Sequence, residues 1–258
     1  MSVQKLQRSR LSETIRWAKE IQAHLQPIVD ANEGQVHFRP SSGGVAMVGL
    51  TPERPQRGKS GIRDLQRLAG NFEEVFSKHC VDVEHGRPTA EKSLQSWMIA
   101  EAYRTSRRMV SLNRASQATE APVELVFVTD EIALPTTTDG KGRIVCDILA
   151  LRAYIDGIVP VIIELKTERQ LTRLVEQVTT YATLVDEHTE LFAELFAATL
   201  GTTRIATMDP CERWIVWPRA GEERDPREDE LAAVGIRVVG YEPAGNGYAF
   251  RVGRTLAE

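Results

Sequence analysis

Asp147, Glu164 and Lys166 are the residues of this chain whose types and spacing suit chemistry. They lie within RIVCDILALRAYIDGIVPVIIELK, residues 143–166, where charge interrupts two apolar runs that read as strands. Asp156-Gly157 between the runs favours a hairpin turn. Charges embedded in such strands are costly unless something pairs with them, and a divalent cation and a phosphate are suitable partners. Residues two apart in a strand share a face, so Ile162, Glu164 and Lys166 point one way while Val161, Ile163 and Leu165 point the other. Pairing across the turn brings Asp147 beside Glu164. Two carboxylates with a backbone carbonyl and waters make a hard oxygen site for Mg²⁺ or Mn²⁺. Lys166, a compact cation, suits orienting an attacking water or neutralising a phosphate. The expected chemistry is metal-dependent hydrolysis of a phosphodiester.

The elements that must hold these groups follow from periodicity. Residues 11–32 read as a helix, with Ile15, Ala18, Ile21, Leu25 and Ile28 at helical spacing and Ser12 or Thr14 as its cap. Residues 37–62 read as a loop containing one strand, and a second helix is expected over 62–80. A third helix starts near Thr89 and carries Leu94, Trp97, Met98 and Ala102. The period then becomes alternating: strands are expected at about 123–134, 143–153 and 158–165, with Asp139-Gly140 turning the first hairpin. Helices follow at 168–186 and 188–200, the latter closed by Gly201. The tail alternates again at 203–208, 211–217, 236–241 and 248–253, around a short acidic helix near 227–233. The fold class is α/β, a mixed sheet flanked by helices. Residues 1–62 form an N-terminal helical extension and 63–258 the main domain.

With its elements in this order, the chain resembles the PD-(D/E)xK nuclease superfamily, the restriction-endonuclease-like fold. The residues that carry the resemblance are Asp147 in CDILAL and Glu164 with Lys166 in IIELKT. The family core of helix, three-stranded meander, helix and strand corresponds to residues 89 to about 208. Glu91 in EKSLQSWM, with Leu94 and Gln95, matches the acid that many members carry on the first helix, with Glu101 as a competing candidate. Gln177 and Tyr181 in EQVTTYA match the Q-x-x-x-Y of the RecB and exonuclease branch. Cys146 stands where the family often has proline. The resemblance implies a Mg²⁺-dependent nuclease acting on DNA, with Asp147 and Glu164 as metal ligands and Lys166 acting on the water or the phosphate. Glu91 then completes the metal shell, and Gln177 and Tyr181 orient the site. The alternative is a catalytically inactive nuclease-fold module that binds nucleic acid or a partner protein. A lone Glu-x-Lys arises by chance about once in a chain this long; the weight rests on the joint match. Asp139-Gly140-Lys141 is a decoy of the same pattern, placed in a turn.

The chain has 258 residues and a formal net charge of −4, so it is not a basic nucleic-acid binder as a whole. Affinity for phosphate must come from a local patch. Arg104, Arg107 and Arg108, with Arg114, form one candidate run, and Arg54, Arg57, Lys59, Arg63 and Arg67 a second. Cys80, Cys146 and Cys211 are odd in number and widely spaced, which argues against a disulfide framework and for a reducing compartment. Cys146 reads as a core thiol. No apolar run reaches the roughly 18 residues of a membrane span, and the N-terminus lacks the apolar core of a secretory signal. A cytoplasmic protein with no membrane partner is expected. A homodimer is compatible with cleaving both strands of a duplex, although no residue identifies a dimer face. Gly58-Lys59-Ser60 is no P-loop, because Glu53 stands where the motif needs its first glycine. Trp214 and Trp217, three apart in a strand, face opposite sides and read as core.

Overall fold

Ser2 starts the first helix by accepting a hydrogen bond from the Lys5 amide, and α1 runs Val3–His24. The computed structural model describes residues 2–50, 57–81, 89–116, 124–154, 157–167, 173–205, 208–219 and 226–251. The helix therefore begins well before residue 11. Buried Gln7 continues the face of Leu11, Ile15 and Ala18, and its polarity hid that face from a hydrophobic pattern. Thr14, expected as a cap, lies inside the helix and turns its hydroxyl back to the Arg10 carbonyl at 2.9 Å. The helical run breaks at Leu25, and α2 (Gln26–Ala31) restarts with proline in its first turn.

Residues 36–62 hold more strand than expected. β1 (Val36–Ser41), β2 (Gly44–Gly49) and β3 (Arg57–Ile62) form an antiparallel sheet in that order. The RPSSGG segment, read as loop, is the end and turn of a hairpin: Pro40 is tolerated because β1 is an edge strand, and Gly43 supplies φ +74°. Gly58 lies in β3, where a Cβ would come within 1.6 Å of the Met47 carbonyl oxygen; close strand pairing explains this glycine. The expected helix over 62–80 is split into α3 (Leu65–Gly70), α4 (Phe72–Phe76) and a short π-helix at Ser77–Val81. Gly70-Asn71 interrupts it.

α5 (Ala90–Arg104) is capped by Thr89, whose hydroxyl accepts from the Lys92 amide. α6 (Val110–Ser116) follows, a short helix the sequence pattern did not reveal. β4 (Glu124–Pro135), β5 (Arg143–Ala153) and β6 (Ile158–Leu165) form an antiparallel meander. Asp156 of the expected β5–β6 turn lies outside the described residues. α7 (Leu174–Glu187) and α8 (Thr189–Leu200) cross over to β7 (Glu212–Pro218), which pairs parallel with β6. Gly201, left-handed at φ +67°, closes α8 as expected. In the stretch expected as a strand at 203–208, residues 206–207 lie outside the description and Met208 makes an isolated bridge to Ile158. α9 (Pro226–Ala233), β8 (Ile236–Ala244) and β9 (Gly247–Arg251) complete a mixed sheet ordered β4-β5-β6-β7-β8-β9.

Helices cover both faces of this sheet. On one face α1, α7 and α8 pack Leu11, Ile15, Val178, Tyr181, Phe192 and Phe196 against Ile162 and Trp217. On the other, α5 and α6 pack Leu94, Met98 and Leu112 against Phe127, Ile163, Leu165 and Trp214. Trp214 and Trp217 therefore occupy opposite sides, both fully buried. A third cluster joins the second half of α1 to β1, β2, α3 and α4 through Trp17, Leu25, Phe38, Met47 and Phe72. Among the described residues no helix is long and apolar enough to cross a membrane.

Candidate active site

The β5–β6 ladder runs from Ala153↔Ile158 to Ile148↔Ile163 and stops there. One step further on, Asp147 and Glu164 would face each other. Beyond this point β5 stays with β4 as far as Arg143, while β6 stays with β7 as far as Leu165. The two strands part where the acids lie. Asp147 fills the gap left in the ladder: its Oδ2 accepts from the Leu165 amide at 2.8 Å.

Lys166 Nζ stands among three carboxylates, 3.5 Å from Glu164, 3.7 Å from Asp147 and 3.9 Å from Glu91. It also donates to the Leu165 carbonyl at 2.8 Å. Strand alternation puts Glu164 and Lys166 together, and the capped first turn of α5 supplies Glu91. Glu101 is elsewhere: it accepts from the Ser111 amide at 3.2 Å and from the Ser111 hydroxyl, tying α5 to α6. Gln177 of α7 donates to Glu164 Oε2 at 2.8 Å and to the Val145 carbonyl at 3.1 Å, bracing the wedge between the parted strands. Tyr181, one turn on, does not join the acids; its hydroxyl donates to the Ile132 carbonyl and pins β4.

Burial dominates the electrostatics. Glu164 is 0% exposed and its Oε1 has no hydrogen-bond partner. That burial, then the charge of Asp147, pushes its carboxyl well above the usual range, with Lys166 opposing. Glu91 is shifted up for the same reasons, burial first and Asp147 second. Burial alone would discharge Lys166, but Asp147, Glu164 and Glu91 hold its pKa above the ordinary lysine value. It stays a cation. Cys146 is a buried thiol donating to the Ile148 carbonyl, its pKa driven up by burial.

The donors fit a hard cation: two carboxylates lie side by side, and one buried oxygen lacks a partner. Among the described residues no three acidic, histidine or cysteine side chains form a ready-made cage. Mg²⁺ asks for none, since it is commonly held by one or two carboxylates together with waters and substrate phosphates.

A second polar network flanks the first, and the sequence reading missed it. Gln95 donates to the Asp147 carbonyl at 2.7 Å and lies 3.4 Å from Asp130 Oδ2. Asp130 is fully buried and also takes His37 at 2.8 Å and Arg39, both from β1. Arg39 and Lys92 both pair with Glu131. Neighbouring strand residues ordinarily point apart. Here the ladder slips between Phe127 and Thr129, and Glu131 adopts φ +49°, so Asp130 and Glu131 reach the same guanidinium. The flanking pairs Asp130↔Ile148 and Ile132↔Cys146 put Glu131 opposite Asp147. The available signal was the acid pair inside FVTDEIAL, with His37 and Arg39 two apart on a strand.

Of the expected phosphate contacts, Arg104 is exposed at the end of α5. Arg107 stacks over the Tyr103 ring and donates to the Val128 carbonyl, and Arg108 lies 3.3 Å from Glu124. In the second run, Arg54 lies outside the described residues.

No family model, curated protein or solved structure matches the chain. The residues and their geometry therefore carry the functional reading.

Proposed function

We propose that the chain is a divalent-metal-dependent nuclease of the restriction-endonuclease-like fold that hydrolyses DNA. The observation that carries this reading is the meeting of Asp147, Glu164, Lys166 and Glu91 where β5 and β6 part, with a carboxylate oxygen of Glu164 buried and unpartnered. The order α5, β4–β5–β6, α7–α8, β7 agrees with the core that the PD-(D/E)xK resemblance implies.

In this reading Asp147 and Glu164 would hold Mg²⁺ or Mn²⁺, with Glu91 completing the shell. A cation bound there would supply Lewis acidity toward the phosphate and a water of lowered pKa. Lys166, kept charged by its neighbours, neutralises the phosphate and orients the attacking water. Gln177 fixes Glu164, and Gln95 fixes the backbone of Asp147. Tyr181 acts at a distance by holding β4.

The test is calorimetric titration of Mg²⁺ and Mn²⁺ into wild type and Asp147→Ala, followed by incubation of both with DNA. Wild type should take up metal and cleave. The variant should keep its circular dichroism spectrum, lose metal uptake and lose activity by at least about a hundredfold. Full activity in the variant would remove Asp147 from the chemistry. No metal uptake by wild type, with DNA present, would favour a nuclease-fold binding module instead.

A further inference from the structure

Beside the acid cluster, across β4, lies a pocket of about 430 Å³ that the proposed chemistry does not use. It opens between α1, the β1–β2 hairpin and the β4–β5 hairpin, and its volume falls in the range of about 300–1,000 Å³ typical of small-ligand sites. Three arginines from three elements line it: Arg10 of α1, Arg39 of β1 and Arg143 of β5. On a chain whose net charge is −4, such a concentration is not background.

The charges around the pocket nearly cancel. Arg10 faces Glu13 at 2.8 Å, Arg39 faces Asp130 and Glu131, and Lys92 also faces Glu131. In the lining itself three arginines stand against two carboxylates, Glu13 and Glu131. Arg143 is exposed and has no ion pair among the described residues, so the surplus charge is its own. A second unmet group lies in the lining: Ser41 Oγ is buried without a hydrogen-bond partner. The lining thus offers one excess positive charge and a free hydroxyl. Among the described residues no aromatic side chain lines it to stack a base.

We propose that this pocket binds a phosphodiester of the DNA backbone, with Arg143 supplying the charge and Ser41 a hydroxyl. The identity of the ligand rests on the nuclease reading above. A single excess charge matches the one negative charge of an internal phosphodiester better than a doubly charged terminal phosphate. Glu131 lines the pocket and lies opposite Asp147 in the sheet, one strand spacing of about 4.8 Å away. Arg143, which holds the phosphate here, precedes Asp147 by four residues on β5, about 13 Å along the strand. Phosphates recur about every 3.4 Å of axis along one DNA strand, so this phosphate is about four nucleotides from the one cleaved. Backbone contacts position a duplex without reading its sequence, so the pocket sets register and not site preference.

Two readouts separate this proposal from the nuclease reading. Binding is followed by fluorescence anisotropy of a labelled DNA duplex in chelator, over a range of salt, for wild type, Arg143→Ala, Arg143→Lys and Ser41→Ala. Cleavage is followed separately with Mg²⁺. Arg143→Ala should weaken binding about five- to tenfold for every sequence tried, and lower the salt slope by about one. Arg143→Lys should restore most of the affinity, and Ser41→Ala should weaken it about two- to threefold. In cleavage, Arg143→Ala should raise KM and leave kcat unchanged. An unchanged Kd and salt slope in Arg143→Ala would overturn the pocket while leaving the nuclease intact, as would a wild type that cleaves DNA but shows no binding in chelator. Weakened binding by Arg143→Ala with no cleavage by wild type would keep the pocket and discard the nuclease.

Discussion

Glu164 is wholly buried, with Gln177 on one carboxylate oxygen and nothing on the other. Its folded pKa lies well above the ordinary carboxylate value, so the folded chain holds this proton more tightly than the unfolded chain does. Without metal, the group therefore opposes folding increasingly as pH rises above the usual carboxylate range. Glu164→Gln removes that opposition. In chelator at neutral pH it should raise the melting temperature by about 2–4 °C, the equivalent of about 1 kcal/mol. Cleavage should fall by at least about a hundredfold, and the stabilisation that Mg²⁺ gives wild type should be lost with it. A variant that melts lower than wild type in chelator would contradict the strain assigned to this carboxylate. The spacing of Glu164 and Lys166 was legible in the sequence because strand alternation alone puts them on one face. The unpartnered oxygen was not legible, since it depends on what α7 brings to Glu164.

At the scale of elements, β1 is tied to β4 by charge. Burial would raise the Asp130 carboxyl, but Arg39 and His37 more than offset it and hold it at about 2, against an ordinary 3.8. Its contribution, about 2 kcal/mol, is fully present above the ordinary value and is lost as pH falls through the folded one. Burial lowers the His37 pKa despite Asp130, so unfolding takes up a proton here as pH drops below about 6.5. Both groups destabilise the fold on the acid side. Urea unfolding at a series of pH values should give stability that declines below about pH 6.5 and more steeply below about pH 4. Asp130→Asn should flatten the lower limb; a limb parallel to wild type would show that the network does not carry the acid sensitivity. Asp130→Ala should cost about 1–3 kcal/mol, because it leaves the buried His37 Nε2 without its partner and Arg39 with Glu131 alone. Sequence periodicity found β4 but not this tie, because a ladder slip and one positive φ turned two adjacent acids toward the same arginine.

Across the whole molecule, α1 binds two packing units together. Leu11, Ile15 and Ala18 belong to the core beneath α7 and α8, while Trp17, Ile21 and Leu25 belong to the cluster around β1 and β2. Each large side chain lost from such a core costs about 2–5 kcal/mol, against a total stability of about 5–15 kcal/mol. A chain lacking residues 1–62 should therefore lose its cooperative thermal transition and its near-ultraviolet circular dichroism; a sharp transition near the wild-type temperature would show residues 63–258 to be self-sufficient. The sequence by itself determined the spans of β5 and β6, the Thr89 cap, the Gly201 helix end and the shared face of Glu164 and Lys166. These follow from local backbone geometry and from side-chain alternation over a few residues. Tertiary structure alone decided that β5 and β6 part at the acids, that Glu91 and not Glu101 reaches Lys166, and that β1 brings His37 and Arg39 to Asp130. Those outcomes depend on strand register and on where whole helices and sheets dock, set by packing between residues far apart in the chain.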